Sequence, residues 1–228
     1  MIAMNYDIVK EKLIYKGAEA NLFYGKWFGR EVIFKHRIPK KYRIEELDKK
    51  IRTLRTLNEA RALIKVKEYG INTPQVYEID IDNSIIIMKY IDGIKLKNLL
   101  KSLNNEQIKE IFSKLGRIIA ILHINGHIHG DITTSNVIIT PDKELFLIDF
   151  GLHEYSDSIE DKSVDLHLLK RVLTSSHGDY FNLCFNSFLN GYSLEYKDRQ
   201  IKRCDEVIKN VFIIETRGRY IKKENRLQ

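Results

Sequence analysis

Two short polar motifs between residues 129 and 151 limit the possible fold of this chain more than any other feature of its sequence. The first is His129-Gly130-Asp131 with Asn136 behind it, and the second, Asp149-Phe150-Gly151, begins 13 residues after that asparagine. The segments between them, Val137 to Thr140 and Leu145 to Ile148, are short apolar runs that indicate two strands. The spacing within the first motif would let the chain loop back so that Asp131 and Asn136 face one cleft.

The residue types and the spacing of these motifs are typical of phosphoryl transfer, which needs phosphates held, metal ions placed on them and the attacking oxygen oriented. In the pattern H-x-D-x-x-x-x-N the aspartate receives the proton of the nucleophile and the asparagine holds a magnesium ion. These roles fall to Asp131 and Asn136. In the pattern D-F-G the aspartate, here Asp149, bridges magnesium to the β- and γ-phosphates. Either motif alone occurs by chance, but both in this order with strands between them are specific.

Hydrophobic periodicity divides the chain into a strand-rich first part and a helical second part. Strands are predicted where Val, Ile, Tyr and Phe lie between turn residues, namely Leu13 to Gly25, Gly29 to His36 and, as two strands, Val76 to Tyr90. Helices are predicted where apolar residues recur every three or four positions, namely Glu45 to Tyr69, the stretch capped by Asn104-Asn105, and most of Ser163 to Phe212.

This order of elements predicts an α+β fold with two lobes. Together with the two motifs it predicts a small bilobal protein-kinase-like domain with a reduced C-terminal lobe. The strand-rich lobe with its one long helix would span residues 1–90. The helical lobe, which ends in a basic tail, would span residues 91–228.

A lysine and a glutamate upstream of the motifs are candidates for the ion pair that orients nucleotide phosphates. The strand Val32-Ile33-Phe34-Lys35 matches the V-A-I-K pattern, whose lysine pairs with the α- and β-phosphates, so we prefer Lys35 to the neighbouring Lys40-Lys41. Its partner should be an acid on the following helix. Glu59 lies inside that helix, whereas Glu45-Glu46 stands at its start, where acids simply favour the helix dipole.

Two further segments are candidate nucleotide contacts. The glycine-rich pattern G-x-G-x-x-G is absent, and only Gly17-Ala18-Glu19-Ala20-Asn21 stands between the first two predicted strands. Small residues there still allow the backbone to approach phosphate closely. The predicted hinge between the lobes reads Met88-Lys89-Tyr90-Ile91, in which backbone groups of Lys89 and Ile91 would meet the edge of the adenine.

Charge and cysteine content indicate which partners and which cellular compartment suit the protein. Lys and Arg outnumber Asp and Glu by 38 to 31. This excess of positive charge suits a polyanionic partner, or else it simply makes the surface soluble. Two cysteines make no disulfide framework, so a reducing compartment is the default. The first residues lack the apolar run of a secretory signal, and the apolar stretch Ile85 to Met88 is too short to cross a bilayer. We expect a cytoplasmic protein with no membrane contact.

The polar residues allow three other interpretations. His123, His127 and His129 could form a zinc cluster, although His123 ends an amphipathic helix and His129 belongs to the catalytic loop. A small-molecule phosphotransferase of the aminoglycoside or choline kinase type also uses H-G-D-x-x-x-x-N. The 77 residues after Gly151 are few for enclosing such an acceptor. A scaffold without chemistry is disfavoured by the complete set of metal ligands.

Specific segments along nearly the whole chain carry a resemblance to a known family. They are Lys16 to Ala20, Phe34 to Arg43, Asn58 to Arg61, His129 to Asn136, Glu160 to Lys162 with Asp165, and Arg217 to Arg219. In these segments the chain resembles the small atypical kinase of the KEOPS complex. No alanine follows Ala120, so the A-P-E segment of ordinary protein kinases is missing, and Gly130 replaces their regulatory arginine.

The resemblance implies an ATP- and Mg²⁺-dependent Ser/Thr kinase that acts chiefly as an ATPase. It implies a role in making threonylcarbamoyladenosine at position 37 of tRNAs that read ANN codons. It also implies two protein partners, a threonylcarbamoyltransferase subunit and a small regulatory subunit. Contact with tRNA would come from the basic tail, here Arg217, Arg219, Lys222 and Lys223.

Overall fold

The computed structural model describes residues 8–196 and 201–224, and of residues 217–224 it describes the backbone alone. The chain divides into two compact units, residues 1–93 with 146–152 and residues 94–145 with 153–228. The first unit is rich in strands and the second in helices, which confirms the predicted α+β, kinase-like fold. The division into functional lobes at residues 90–91 stays a prediction.

The first unit is built on an antiparallel sheet with one long helix. Its strands are β1 (Ile8–Lys16), β2 (Ala20–Trp27), β3 (Arg30–Arg37), β4 (Val76–Asp80) and β5 (Ile85–Lys89), in the spatial order β1-β2-β3-β5-β4. Helix α1 (Glu45–Lys65) continues as a short 3-10 turn, Val66–Tyr69. Gly70 ends it with a φ of 76°, a conformation in which a residue without a Cβ is favoured.

The register of this sheet decides which side of β3 carries polar groups. Phe34 lies opposite Phe23 on β2 and Ile87 on β5, and these residues belong to an apolar cluster on one face. Because successive side chains of a strand point to opposite faces, the next residue, Lys35, points to the other face. That face is the one on which Lys35 meets Glu59 of α1.

The second unit is mostly helical. Its helices are α2 (Leu96–Leu99), α3 (Asn105–Ile124), α4 (Ile159–Ser176), α5 (Phe181–Glu195) and α6 (Ile201–Glu224), with 3-10 turns at Leu100–Ser102 and Gly178–Tyr180. Short strands are β6 (Ile94–Lys95), β7 (His127–Ile128), β8 (Val137–Ile139), β9 (Leu145–Leu147), which continues into the first unit, and β10 (Glu154–Tyr155). β6 pairs with β8, and β7 with β10.

Helix α3 begins where its sequence predicts. The side chain of Asn104 accepts a hydrogen bond from the backbone N–H of Gln107, and the Gln107 side chain accepts one from the Asn104 N–H. This reciprocal pair satisfies two N–H groups at the start of the helix. It confirms the predicted cap at Asn104-Asn105.

Two glycines allow α3 and α5 to approach each other closely. A Cβ atom on Gly116 would lie 2.0 Å from the carbonyl oxygen of Phe188, and one on Gly191 would lie 2.0 Å from that of Ser113. Neither distance is possible for real atoms, so the backbones of the two helices touch at positions where only glycine fits. The buried ring of Tyr192 follows directly after Gly191.

The last helix extends beyond the predicted helical end near Phe212. Helix α6 runs to Glu224, so the backbone of the basic tail is helical up to that residue. The side chains of Arg217, Arg219, Lys222 and Lys223 lie outside the part of the chain that the structure describes. Among the helices of the described ranges, none combines the length and the apolar character that a membrane span requires.

Candidate active site

In the first unit, three of the predicted site residues meet in one ionic cluster. The Lys35 ammonium on β3 lies 2.6 Å from Oε1 of Glu59 on α1 and 2.7 Å from Oδ1 of Asp149. Lys35 and Glu59 are buried, whereas the Asp149 side chain is 46% exposed. Lys35 is therefore paired with Glu59, the acid that the sequence predicts from its place inside the helix. The aspartate of the D-F-G motif is a second partner of Lys35.

The electrostatics of the cluster keep Lys35 charged. Burial by itself would lower the pKa of the Lys35 ammonium, and the nearby Arg37 acts in the same direction. The carboxylates of Glu59 and Asp149 outweigh both, so the pKa of Lys35 is raised above its usual value. Lys35 is thus a fixed cation at neutral pH.

Arg37 is a member of this cluster that the sequence motifs did not reveal. Its Nη2 donates a hydrogen bond of 2.7 Å to Oε2 of Glu59, so each oxygen of that carboxylate holds one cation. Arg37 is 3% exposed, and its Nε and Nη1 have no hydrogen-bond partner among the described residues. The sequence does indicate that Arg37 lies near Lys35, because residues two positions apart on a strand share one face of it.

The D-F-G segment begins with an uncommon backbone conformation. Asp149 has a φ of 64°, a region that few non-glycine residues adopt and in which aspartate is enriched. Its Oδ1 also accepts a hydrogen bond of 3.2 Å from the N–H of Gly151. A Cβ on Gly151 would lie 3.1 Å from Nη2 of Arg37, so a larger residue there would press on the Arg37–Glu59 pair.

In the second unit, the predicted catalytic loop brings Asp131 and Asn136 together. Nδ2 of Asn136 donates to the backbone oxygen of Asp131 at 3.0 Å and to its carboxylate Oδ2 at 2.9 Å. Both bonds use the amide nitrogen, which leaves the amide oxygen, the atom type that hard cations prefer, outside them. The loop is therefore closed on itself, with the two side chains that the motif singles out in contact.

The backbone before Asp131 is held by an aspartate of α4. Asp165 accepts hydrogen bonds of 2.9 Å from the N–H groups of His129 and Gly130. Gly130 has a φ of 79°, so a glycine relieves strain at the position where ordinary protein kinases carry arginine. Asp165 belongs to the segments that carry the family resemblance, and the sequence motifs do not indicate its contact with the loop.

The two candidate nucleotide segments both belong to the first unit. Gly17 to Ala20 forms the turn between β1 and β2, closed by a hydrogen bond of 3.0 Å from the Gly17 N–H to the Ala20 oxygen. Lys40 donates to the Ala18 oxygen, and Glu19 pairs with Arg55 of α1 at 2.6 Å. Asn21 follows inside β2.

The predicted hinge lies at the end of β5 and just beyond it. Met88 and Ile91 are buried, and the N–H of Lys89 donates to the Gln75 oxygen at 2.8 Å. The N–H of Tyr90 donates to the Glu31 oxygen at 3.1 Å. The N–H groups of Lys89 and Tyr90 are thus already engaged within the first unit.

The three histidines considered as a zinc cluster have other partners. His123 bonds to Tyr192 and Asp165, and His127 lies with its Nδ1 2.9 Å from Nε2 of His153. His129 receives the N–H of Asp131 at its Nδ1. Within residues 8–196 and 201–224, no three His, Cys, Asp or Glu side chains are grouped closely enough to hold a metal.

The contact between His127 and His153 predicts an acid-sensitive stability. Burial and the neighbouring His127 lower the pKa of His153 from 6.5 to about 4. As the pH falls below 6.5, His153 binds a proton in the unfolded chain but stays neutral in the folded chain. The stability that is present above pH 6.5 is therefore lost progressively towards pH 4. Between about pH 7 and about pH 5 we expect His153 to account for roughly 1–2 kcal/mol of lost unfolding free energy, after discounting its partial exposure.

Urea unfolding of the wild type and of His153→Gln at both pH values measures this contribution. Glutamine does not titrate, so the variant should lose less unfolding free energy on acidification than the wild type does. Equal losses in the two proteins would contradict the assignment to His153.

Comparison of the sequence with known proteins places the chain in a family. Residues 31–162, more than half of the chain, match the family model of the RIO domain. The chain belongs to the RIO-domain family. This family consists of atypical protein kinases and ATPases, and the matched range contains Lys35, Glu59, Asp131, Asn136 and Asp149.

Curated relatives support the same placement. The chain is 44% identical to the KEOPS complex subunit Bud32 of Pyrococcus abyssi, over 92% of this chain and 96% of that protein. It is 43% identical to a probable bifunctional tRNA threonylcarbamoyladenosine biosynthesis protein of Methanosphaera stadtmanae, and 40% identical to one of Methanocaldococcus jannaschii. Those matches cover 94% and 93% of this chain but only 37% and 38% of the longer proteins. The resemblance to the KEOPS kinase family is confirmed, and the small-molecule phosphotransferase is not favoured.

RIO kinase-like domains bind ATP with a divalent metal. The residues present fit both groups. The Lys35 ammonium can pair with phosphate oxygens, and the half-exposed carboxylate of Asp149 and the amide oxygen of Asn136 are oxygen ligands of the type that Mg²⁺ takes.

Proposed function

We propose that this protein is an ATP- and Mg²⁺-dependent atypical Ser/Thr protein kinase that acts chiefly as an ATPase. The observation that carries the proposal is the Lys35 ammonium held between the carboxylates of Glu59 and Asp149, at 2.6 Å and 2.7 Å. Such a lysine can exchange its contact with Asp149 for a phosphate oxygen without moving its stem. The buried Glu59 then keeps it in place.

Each side chain takes one role in this proposal. Lys35 binds the phosphates and Glu59 orients it, while Asp131 orients the attacking oxygen and accepts its proton. Asp149 and Asn136 are the ligands for Mg²⁺, which when bound neutralises charge that develops on the phosphates.

The nucleotide's other contacts come from backbone groups. The turn from Gly17 through Ala18, Glu19 and Ala20 to Asn21 covers the phosphates, and its small residues support that assignment. The Lys89 carbonyl and the Ile91 N–H meet the adenine, with Met88 beside it as a buried apolar wall. Residues 1–90 and 91–228 act as the two lobes of one kinase-like domain.

Water is the preferred phosphate acceptor in this proposal. Helix α4 begins at Ile159, eight residues after Gly151, so the described residues between the two are too few for a long activation segment that would seat a substrate peptide. The short segment supports ATP hydrolysis over transfer to proteins.

The biological role that we propose follows the relatives. The protein would serve the KEOPS complex in forming threonylcarbamoyladenosine at position 37 of tRNAs that read ANN codons, together with a threonylcarbamoyltransferase subunit and a small regulatory subunit. Two findings support this: the Bud32 relative is named as a subunit of that complex, and the bifunctional relatives are named for that modification. We also propose a cytoplasmic location and tRNA contact through Arg217, Arg219, Lys222 and Lys223.

A reconstituted tRNA-modification assay with Asp149→Ala tests the proposal. The variant loses a metal ligand and one partner of Lys35, so we expect both ATP turnover and modified-tRNA formation to fall by about 10²-fold or more. Asp179→Ala, which removes an exposed aspartate of a 3-10 turn, is the matched control and should behave as the wild type.

Modified tRNA at the wild-type level from Asp149→Ala would contradict the proposed role of ATP turnover. Fast ATP-dependent phosphorylation of a free amino alcohol or sugar by the wild type would instead favour the small-molecule phosphotransferase.

A further inference from the structure

A chain of buried hydrogen bonds connects α5 with the catalytic loop. Tyr196 and Tyr192 lie with their hydroxyl oxygens 3.0 Å apart, and the Tyr192 hydroxyl lies 2.9 Å from Nδ1 of His123. Nε2 of His123 lies 3.2 Å from Oδ2 of Asp165, whose oxygens receive the N–H groups of His129 and Gly130. The side chains of Tyr192, His123 and Asp165 are all buried, so water does not compete for these bonds.

The donors and acceptors along this chain can be assigned. Both oxygens of Asp165 already accept backbone N–H groups, so the carboxylate acts as an acceptor towards His123 as well. His123 therefore carries its proton on Nε2, and its Nδ1 accepts the hydroxyl proton of Tyr192. Because the single O–H of Tyr192 donates to His123, the Tyr192 oxygen can only accept from Tyr196.

The protonation states of these groups agree with that direction. Burial lowers the pKa of the His123 imidazole, although Asp165 opposes the shift, so the ring is neutral at pH 7. Burial raises the pKa of the Tyr192 phenol well above its usual value. The phenol therefore stays protonated, and its O–H is available as a hydrogen-bond donor to His123. A neutral imidazole with one donor and one acceptor nitrogen is the form that the chain of bonds requires.

The close approach of α3 and α5 is what brings Tyr192 within reach of His123. Gly191 precedes Tyr192 on α5, and Gly116 lies two turns before His123 on α3. Because only glycine fits at both positions, the backbones come near enough for a side-chain hydrogen bond of normal length. The chain of bonds is thus tied to the backbone contact between α3 and α5.

We propose that Tyr192 is a positioning residue for the catalytic loop, which acts by fixing the tautomer and orientation of His123 and, through it, the Asp165 carboxylate. This inference rests on the proposed function, because it assigns catalysis to the loop that carries Asp131. It adds a residue of α5, far along the sequence from both motifs, to the set that determines the turnover rate.

The first test is spectroscopic and does not depend on activity. Long-range ¹H–¹⁵N correlation spectra of ¹⁵N-histidine-labelled protein at about pH 7 separate protonated from unprotonated ring nitrogens, and the signal lost in His123→Gln identifies His123. We expect His123 to show a protonated Nε2 and an unprotonated Nδ1. A protonated Nδ1, or a doubly protonated ring, would overturn the assignment.

The second test measures ATP turnover in graded variants. Tyr192→Phe leaves Nδ1 of His123 without its donor while it keeps the ring, so we expect kcat to fall about 3- to 10-fold with an unchanged KM for ATP. Tyr196→Phe removes only the donor to Tyr192 and should have a smaller effect. Tyr180→Phe, a half-buried tyrosine before α5 that is outside the chain of bonds, should leave kcat unchanged.

A pair of variants at His123 separates positioning from packing. In His123→Gln the side-chain amide nitrogen can replace Nε2 as the donor to Asp165, whereas His123→Leu offers no donor. We expect glutamine to retain more of the wild-type kcat than leucine does. Equal kcat values for Tyr192→Phe and the wild type would overturn the positioning role.

The two proposals fail separately. Unchanged ATP turnover in Asp131→Ala would reject the proposed function, whereas the His123 spectrum tests the chain of hydrogen bonds whichever residue performs the chemistry.

Discussion

We expect Asp131→Ala to lower ATP turnover by about 10²–10⁴-fold while the protein still binds nucleotide. The reason is that Asp131 supplies the only carboxylate that we assign to the attacking oxygen, whereas the assigned phosphate contacts come from Lys35 and from backbone groups. The Asn136 amide bonded to Oδ2 of Asp131 fixes the orientation of that carboxylate. Release of phosphate measures turnover, and a fluorescent nucleotide measures binding.

Two variants sharpen that measurement. Asp131→Asn keeps the shape of the side chain and a partner for Asn136, so a loss as large as that of alanine would assign the effect to the carboxylate's basicity. Asp142→Ala removes an exposed aspartate from a turn and should turn over ATP at the wild-type rate. Turnover of Asp131→Ala equal to that of the wild type would reject the assignment.

The largest expected effect on stability is that of Gly116→Ala, which should lower the free energy of unfolding by about 3 kcal/mol or more. The added Cβ would lie 2.0 Å from the Phe188 oxygen and 2.7 Å from the Tyr192 nitrogen. Both are backbone atoms, so no rotamer change relieves the clash, and α3 and α5 must separate. Urea unfolding followed by circular dichroism gives the free energy.

Gly178→Ala is the matched control for that substitution. A Cβ at Gly178 would meet nothing within 4 Å, so we expect a change of unfolding free energy within about 0.5 kcal/mol. A similar small change for Gly116→Ala would mean that the two helices are not in backbone contact. Gly191→Ala, which meets the Ser113 oxygen at 2.0 Å, should repeat the loss.

Much of the candidate site could be predicted from the sequence because its parts are local. Asp131 and Asn136 are five residues apart in one loop, and their mutual contact follows from that spacing. The strand that carries Lys35 and the helix that carries Glu59 are read from periodicity, since alternation marks a strand and three- to four-residue steps mark a helix. The α+β fold follows from the order of those elements.

Contacts between distant residues could not be predicted in the same way. Arg37 shares a face of β3 with Lys35, but nothing in the motif indicates that its guanidinium would take the second oxygen of Glu59. Tyr192 lies 69 residues after His123, and no spacing rule relates them. Their contact depends on the helix crossing at Gly116 and Gly191, which a single sequence does not display.

Residue types and short-range spacing thus predict the loop that carries Asp131 and Asn136, the D-F-G aspartate and the lysine strand, and they place the chain in its family. The tertiary structure alone decided how that chemistry is held in place: which oxygen of Glu59 binds which cation, and how Asp165 and His123 support the loop. The physical reason is that residue type and local spacing fix what a side chain can do, whereas its partner is set by close packing between elements far apart in the chain.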